Sequence, residues 1–165
     1  MTEPMFREAQ YMSGWVVAVL AFVGLAMPAL LVWLSGLTIT RVRGRIHVAA
    51  TRLTAGVCAA TAAAIVLFFG VMTTEVTPAG VRVVFGFVAS HDETVPAADI
   101  LGATAVRYDP MSYNGWGIRG RGPADRVLSM DGDRAAQLDL TGGRTLKIGS
   151  RRPDELAAAI MAAGR

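Results

Sequence analysis

Tyr108-Asp109-Pro110-Met111-Ser112-Tyr113-Asn114-Gly115-Trp116-Gly117-Ile118-Arg119 divides the chain into parts of different character. Two tyrosines, a tryptophan, two glycines and an arginine fall in one short segment. Glycines on both sides of Trp116 allow positive φ or close backbone approach. Trp116 brings a large apolar surface and one N–H that needs a partner when buried. The pattern predicts a structural corner or a binding loop between short strands. As core, Trp116 would plug one end of a small β domain; as contact, it would anchor a partner.

Downstream, the alternation is that of an antiparallel sheet with one wet face. Leu138 and Leu140 alternate with Gln137 and Asp139, and Leu146 and Ile148 flank Lys147. Thr141-Gly142-Gly143 supplies the positive φ that a tight hairpin needs. Pro153-Asp154-Glu155 then opens a short helix in which Leu156 and Ile160 share a face. Upstream, Thr74–Thr77, a turn at Pro78-Ala79-Gly80 and Val81–Phe87 read as another hairpin. Gly102–Tyr108 and Arg126–Met130 read as strands, and Ala89–Thr94 as a polar loop.

The N-terminal part differs. The chain has 165 residues, 53% of them apolar and 18% charged, and the apolar excess is concentrated in two uncharged runs. Ala9–Thr40 is long enough to span a bilayer. Trp15 and Trp33 would lie about 27 Å apart along a helix, near the roughly 30 Å of a hydrocarbon core. This predicts a span near 14–37 behind a short mixed tail, with Pro28 bending it. The run is too long for the apolar region of a cleaved leader. Leu53–Thr74 predicts a second span near 53–74. In it Gly56, Ala60 and Ala64 are spaced four apart and form a small face suited to close helix packing or self-association. Four arginines, Arg41, Arg43, Arg45 and Arg52, lie between the two runs. By the positive-inside rule that turn is cytoplasmic and the soluble domain extracytoplasmic. The expected organisation is a tail and transmembrane hairpin over residues 1–74 and a β domain over 75–165.

Charge narrows the function classes. Residues 75–165 hold eleven basic and eleven acidic groups, so the net +3 comes from the membrane half. That is no footprint of a nucleic-acid-binding domain. The one cysteine, Cys58, excludes an internal disulfide and a cysteine metal site. His47 and His91 have no ligand-spaced companion. Ser129 and Ser150 lack a nucleophile-elbow setting. No metal, cofactor or catalytic residue is expected, and an enzyme reading would need a substrate that no pattern suggests.

Taken together, Tyr108-x-Pro110, Gly115-Trp116-Gly117-Ile118-Arg119 and Ile148-Gly149-Ser150-x-x-Pro153-x-x-Leu156 resemble the membrane-anchored bacterial PH-like (pleckstrin-homology-like) proteins. The resemblance covers roughly residues 75–161. Asn114 stands where a second glycine is common in that family. The resemblance implies a bent, partly open antiparallel barrel capped by the C-terminal helix, and it implies binding without catalysis. The fold expected is therefore a two-helix transmembrane hairpin followed by a mainly-β PH-like barrel.

Arg119, Arg121 and Arg126 form one basic group, and Arg144, Lys147, Arg151 and Arg152 another. With Trp116 they are the candidate binding residues. A positive groove would take an acidic peptide or an anionic lipid head group. The expected function is a protein-interaction or scaffolding module at the bacterial cell membrane, the alternative being a head-group binder. The expected partners are the lipid bilayer and a protein, which could be a second copy.

Overall fold

The computed structural model describes residues 3–26, 28–30, 33 and 44–164. They form two compact units. One takes Met1–Met12 with Phe68–Arg165, the other Ser13–Leu67.

The first unit is mainly β, and it begins before the helices. Strand β1, Phe6–Tyr11, pairs antiparallel with β2, Val71–Thr77, from Phe6 opposite Val76 to Tyr11 opposite Val71. Met12 N–H donates to the Gly70 carbonyl at 2.9 Å and closes the ladder where the chain leaves and returns. The helical segment is thus an insertion between two paired strands. β3 (Gly80–Phe85) and β4 (His91–Pro96) complete a four-stranded sheet in the order β1-β2-β3-β4. A 3₁₀ turn at Ala97–Asp99 leads into the second sheet. Its strands are β5 (Ile100–Arg107), β6 (Gly117–Gly122), β7 (Asp125–Ser129), β8 (Arg134–Leu140) and β9 (Arg144–Gly149). Their order is β5-β8-β9-β7-β6.

The two sheets share one core. Phe6, Met72, Val83 and Phe85 line it from the first sheet, and Leu128, Leu138 and Ile148 from the second. The C-terminal helix, Pro153–Ala163, adds Leu156 and Ile160. Each such side chain contributes about 1.5–3 kcal/mol through burial. The hairpins expected over 74–87 and 136–148 are present, with strands at Val71–Thr77 and Gly80–Phe85 and at Arg134–Leu140 and Arg144–Gly149. β4 forms where a loop was expected, because pairing with β3 gives its polar residues a ladder. β7 and β9 are parallel neighbours, so the second sheet is mixed and not the all-antiparallel one that the resemblance implied.

The expected two-helix transmembrane hairpin is not the architecture. The chain opens with a strand and then a short helix, α1, Gly14–Ala21, which passes into a π-helical turn, Phe22–Ala26. Strand formation takes Ala9, Gln10 and Tyr11 out of the uncharged run Ala9–Thr40, ahead of the span expected near 14–37. Phe6, Glu8 and Gln10 point inward while Arg7, Ala9 and Tyr11 face out. That alternation acquires meaning only beside β2, far along the chain. The π turn directly precedes Pro28, whose ring clashes with the carbonyl four residues back and cannot continue the hydrogen-bond ladder. Residues 34–43, the end of the expected span and the start of the arginine turn, lie outside the described residues.

Helix α2 runs from Gly44 to Phe69, so Gly44–Arg52 is helical and no turn. Among the described residues, one helix is long and apolar enough to cross a membrane, over Arg52–Phe69. It ends before 74 because Val71–Thr74 belong to β2. Within this second unit the close approach is at Gly24, where an added Cβ would lie 2.7 Å from the Ala62 Cβ. Gly56 and Ala60 face outward, and Ala64 is half-buried.

Candidate functional site

The quoted motif folds over the outer face of the second sheet. Tyr108 N–H donates to the Asp133 carbonyl at 2.9 Å as β5 ends. Asp109 Oδ1 accepts from Met111 N–H at 3.0 Å, and Pro110 starts a 3₁₀ turn over Pro110–Tyr113. Asn114, Gly115 and Gly117 then take φ of 64°, 97° and 102°, left-handed turns that an alanine would resist. Trp116 is half-buried and its Nε1–H donates to the Gly132 carbonyl at 2.7 Å. It braces the loop against the Asp131–Asp133 turn, partway between the core and contact readings.

Tyr113 is the pivot, 4% exposed. Its hydroxyl donates to Asp125 at 2.8 Å and accepts from Lys147 Nζ at 3.0 Å. Lys147 Nζ also donates to Asp125 at 2.9 Å. The Arg121 guanidinium lies 4.6 Å from the ring centre, a cation–π distance. The Tyr108 ring meets it edge-on at 6.1 Å. Val127 and Ala135, fully buried yet outside the main core, belong to this outer cluster by strand alternation. Burial disfavours both charges of the pair. For Lys147 the bonds to Tyr113 and Asp125 outweigh burial and hold its ammonium above the ordinary value. For Asp125, Lys147 and Tyr113 outweigh burial and hold its carboxyl below the ordinary range.

Of the remaining candidates, Arg119 joins the motif loop and Arg144 and Arg151 lie in two other places. Arg119 donates through Nε to the Trp116 carbonyl at 3.0 Å, beside Arg121, whose Nε donates to the Ser112 carbonyl at 3.0 Å. Arg144 is exposed at the β8–β9 turn and lines a pocket of about 130 Å³ with Arg126, Glu93 and Asp99. There Arg126 bridges the sheets, donating to both Glu93 oxygens at 2.7 and 2.9 Å. Burial raises the Glu93 carboxyl, but bonds to Arg126 and His91 outweigh it and leave it below the ordinary range. Arg151 borders a depression with Asp131, Asp133 and Arg134. The structure therefore brings Arg119, Arg121 and Lys147 together at the motif loop and leaves Arg144 and Arg151 apart.

Gly149, Ser150 and Pro153 have structural jobs. A Cβ at 149 would lie 2.7 Å from the Ser129 Cβ and 3.0 Å from its Cα. Ser150 Oγ donates to Glu8 Oε2 at 2.5 Å and accepts from Arg152 N–H at 2.9 Å. Arg151 N–H donates to Glu8 Oε1 at 3.0 Å, and Gln10 Nε2 donates to the Gly149 carbonyl at 2.7 Å. This buried clip ties β1 to the start of the last helix, whose first turn Pro153 occupies.

Sequence reasoning missed Tyr113, Asp125 and Glu8. Tyr113 lay inside the quoted motif, and Lys147 is the sole lysine of the chain, flanked by core residues. Those were available signals; nothing in spacing pointed to Glu8. Among the described residues, no group of three His, Cys, Asp or Glu is arranged to hold a metal ion. Comparison with protein-family models and with curated proteins finds no match.

Proposed function

We propose that the chain is a non-catalytic membrane protein whose β unit is a PH-like module that holds a protein partner. The observation that carries this reading is the motif loop with the edge strand beside it. Trp116, Arg119 and Arg121 are presented there on a rigid sheet by backbone carbonyls. A half-buried aromatic with arginine side chains beside it on a rigid frame is the usual centre of a protein interface. Attachment to a membrane is supported by Arg52–Phe69, which is apolar with none of its window buried inside the protein.

Charge favours a protein over an anionic head group. The β unit, Met1–Met12 with Phe68–Arg165, holds twelve basic and thirteen acidic residues, a balance of −1. The segment Ser13–Leu67 holds four arginines and no acid, a balance of +4. Attraction to an anionic leaflet therefore belongs to the helical segment and not to the β unit.

The test is crosslinking of the full chain in its native membrane, followed by capture in detergent. A partner captured by the native chain and lost from a folded Trp116→Ala variant is the expected result. Binding of the detergent-purified chain to anionic vesicles that weakens steeply with salt and on Arg119→Ala or Arg151→Ala, with no protein captured, would reverse the choice.

A further inference from the structure

The β unit has four strand edges, and three of them have a side chain, an ion pair or a helix set against them. The β1 edge is held at the Arg7 carbonyl by Arg152 Nη2 at 3.2 Å, with the Arg152 guanidinium 4.8 Å from the Phe6 ring centre. Strand β4 is bridged to the other sheet by the Glu93–Arg126 pair. The C-terminal helix packs along β5. The fourth edge, β6, pairs with β7 alone and is exposed from Arg119 to Gly122. No backbone bond joins its outer side to another element among the described residues.

Resting on the reading of the β unit as a protein-binding module, we infer that the outer edge of β6 takes an extended acidic segment of a partner protein as a sixth strand. The backbone groups of an edge strand are a ready template for such addition. Side-chain chemistry selects the occupant. β6 reads Gly-Ile-Arg-Gly-Arg-Gly, with two cations and no acid. Arg119 and Arg121 are each fixed through Nε to a loop carbonyl. Neither makes an ion pair among the described residues. Their terminal nitrogens are left to pair with carboxylates. Arg119 lies in the regularly paired part of β6, so a carboxylate on the added strand can face it, while Arg121 stands at the bulge that ends that part and offers a second cation beside it. The bulge between Gly120 and Gly122 confines regular pairing to the first half of β6.

The probe is a labelled eight-residue peptide of alternating glutamate and valine, titrated against the full chain in neutral detergent. A lysine–valine peptide is the control. The glutamate peptide binds and the lysine peptide does not. Arg119→Glu and Arg121→Glu each weaken binding about tenfold or more, as loss of a charge-assisted bond requires. A second measurement leaves the protein untouched. N-methylation of every second peptide amide abolishes binding in one register and spares it in the other, because a strand pairs through one edge. Equal binding by both methylated peptides, or none by the parent, overturns the proposal. So does a detergent-stable dimer that R119E/R121E dissolves, which would assign the edge to a second copy. A partner captured equally by native and R119E/R121E chains would move the site elsewhere and leave the module reading standing. No partner captured by the native chain would remove that reading itself.

Discussion

Glu8→Ala should release the first strand from the β unit. The carboxylate is 8% exposed and accepts from Ser150 Oγ–H and Arg151 N–H. Hydrogen bonds to charged groups contribute about 1.5–3 kcal/mol each. Truncation also strands a hydroxyl and a backbone amide in a site closed to water. Part of this is offset because a buried carboxylate no longer needs desolvating. A net loss of about 3 kcal/mol follows, which corresponds to roughly a hundredfold change in an equilibrium. Glu8→Gln keeps one acceptor for Arg151 N–H, so it should lose about 1 kcal/mol. The assay is amide hydrogen exchange of Phe6–Tyr11 in the full chain in detergent. The expected result is a hundredfold loss of protection in β1 for Glu8→Ala and a smaller loss for Glu8→Gln. Core amides of β8, such as Leu138, should change less. Equal protection in all three proteins would refute the clip. Equal loss in both variants would show that side-chain volume, and not the acceptor oxygens, holds the strand.

Other outcomes follow from the same geometry. Gly149→Ala should cost about 1–3 kcal/mol of overpacking, because the contact at 3.0 Å is with Ser129 backbone, which cannot rotate away. Thr74→Val should stabilise the fold by about 1 kcal/mol in thermal unfolding, since the buried Thr74 hydroxyl has no partner among the described residues. Stability should fall at both ends of the pH scale. The carboxyls of Glu93 and Asp125 are depressed in the fold, so their contribution is full above the unfolded value of about 4 and is lost as pH drops through the lower folded value. Lys147 is raised, so its contribution is full below about 10.4 and is lost as pH rises through the higher folded value. Thermal midpoints across pH check this, and Glu93→Gln should flatten the acid limb. A membrane-impermeant label on cysteines placed at residues 4 and 164 of a Cys58→Ser chain should report one compartment for both, because β1 and the C-terminal helix belong to one unit.

The clip at Glu8 also shows why the N-terminal part was misread. Phe6–Tyr11 is short, charged and adjacent to an apolar run, and nothing local marks it as a strand. Its partner β2 begins 60 positions after Tyr11, across the helical insertion. The edge strand β6 was hidden for a related reason. Three glycines dilute its alternation, and only the ladder with β7 reveals it.

What the sequence determined by itself is what local periodicity can carry. The alternation of Leu138, Leu140, Leu146 and Ile148 set the β8–β9 hairpin, and Pro153 with two acids set the start of the last helix. Uncharged apolar length marked a helix from Leu53, though its end at Phe69 and not at 74 came from strand pairing, and the glycines around Trp116 set a sharp corner. The tertiary structure alone decided that residues 6–11 join the β unit and that β7 and β9 run parallel. It also gathered Arg121, Tyr113, Asp125 and Lys147 while keeping Arg144 and Arg151 apart. Pairing between strands distant in sequence depends on which ladder closes around a shared core, and that choice leaves no mark on the pattern of any one segment.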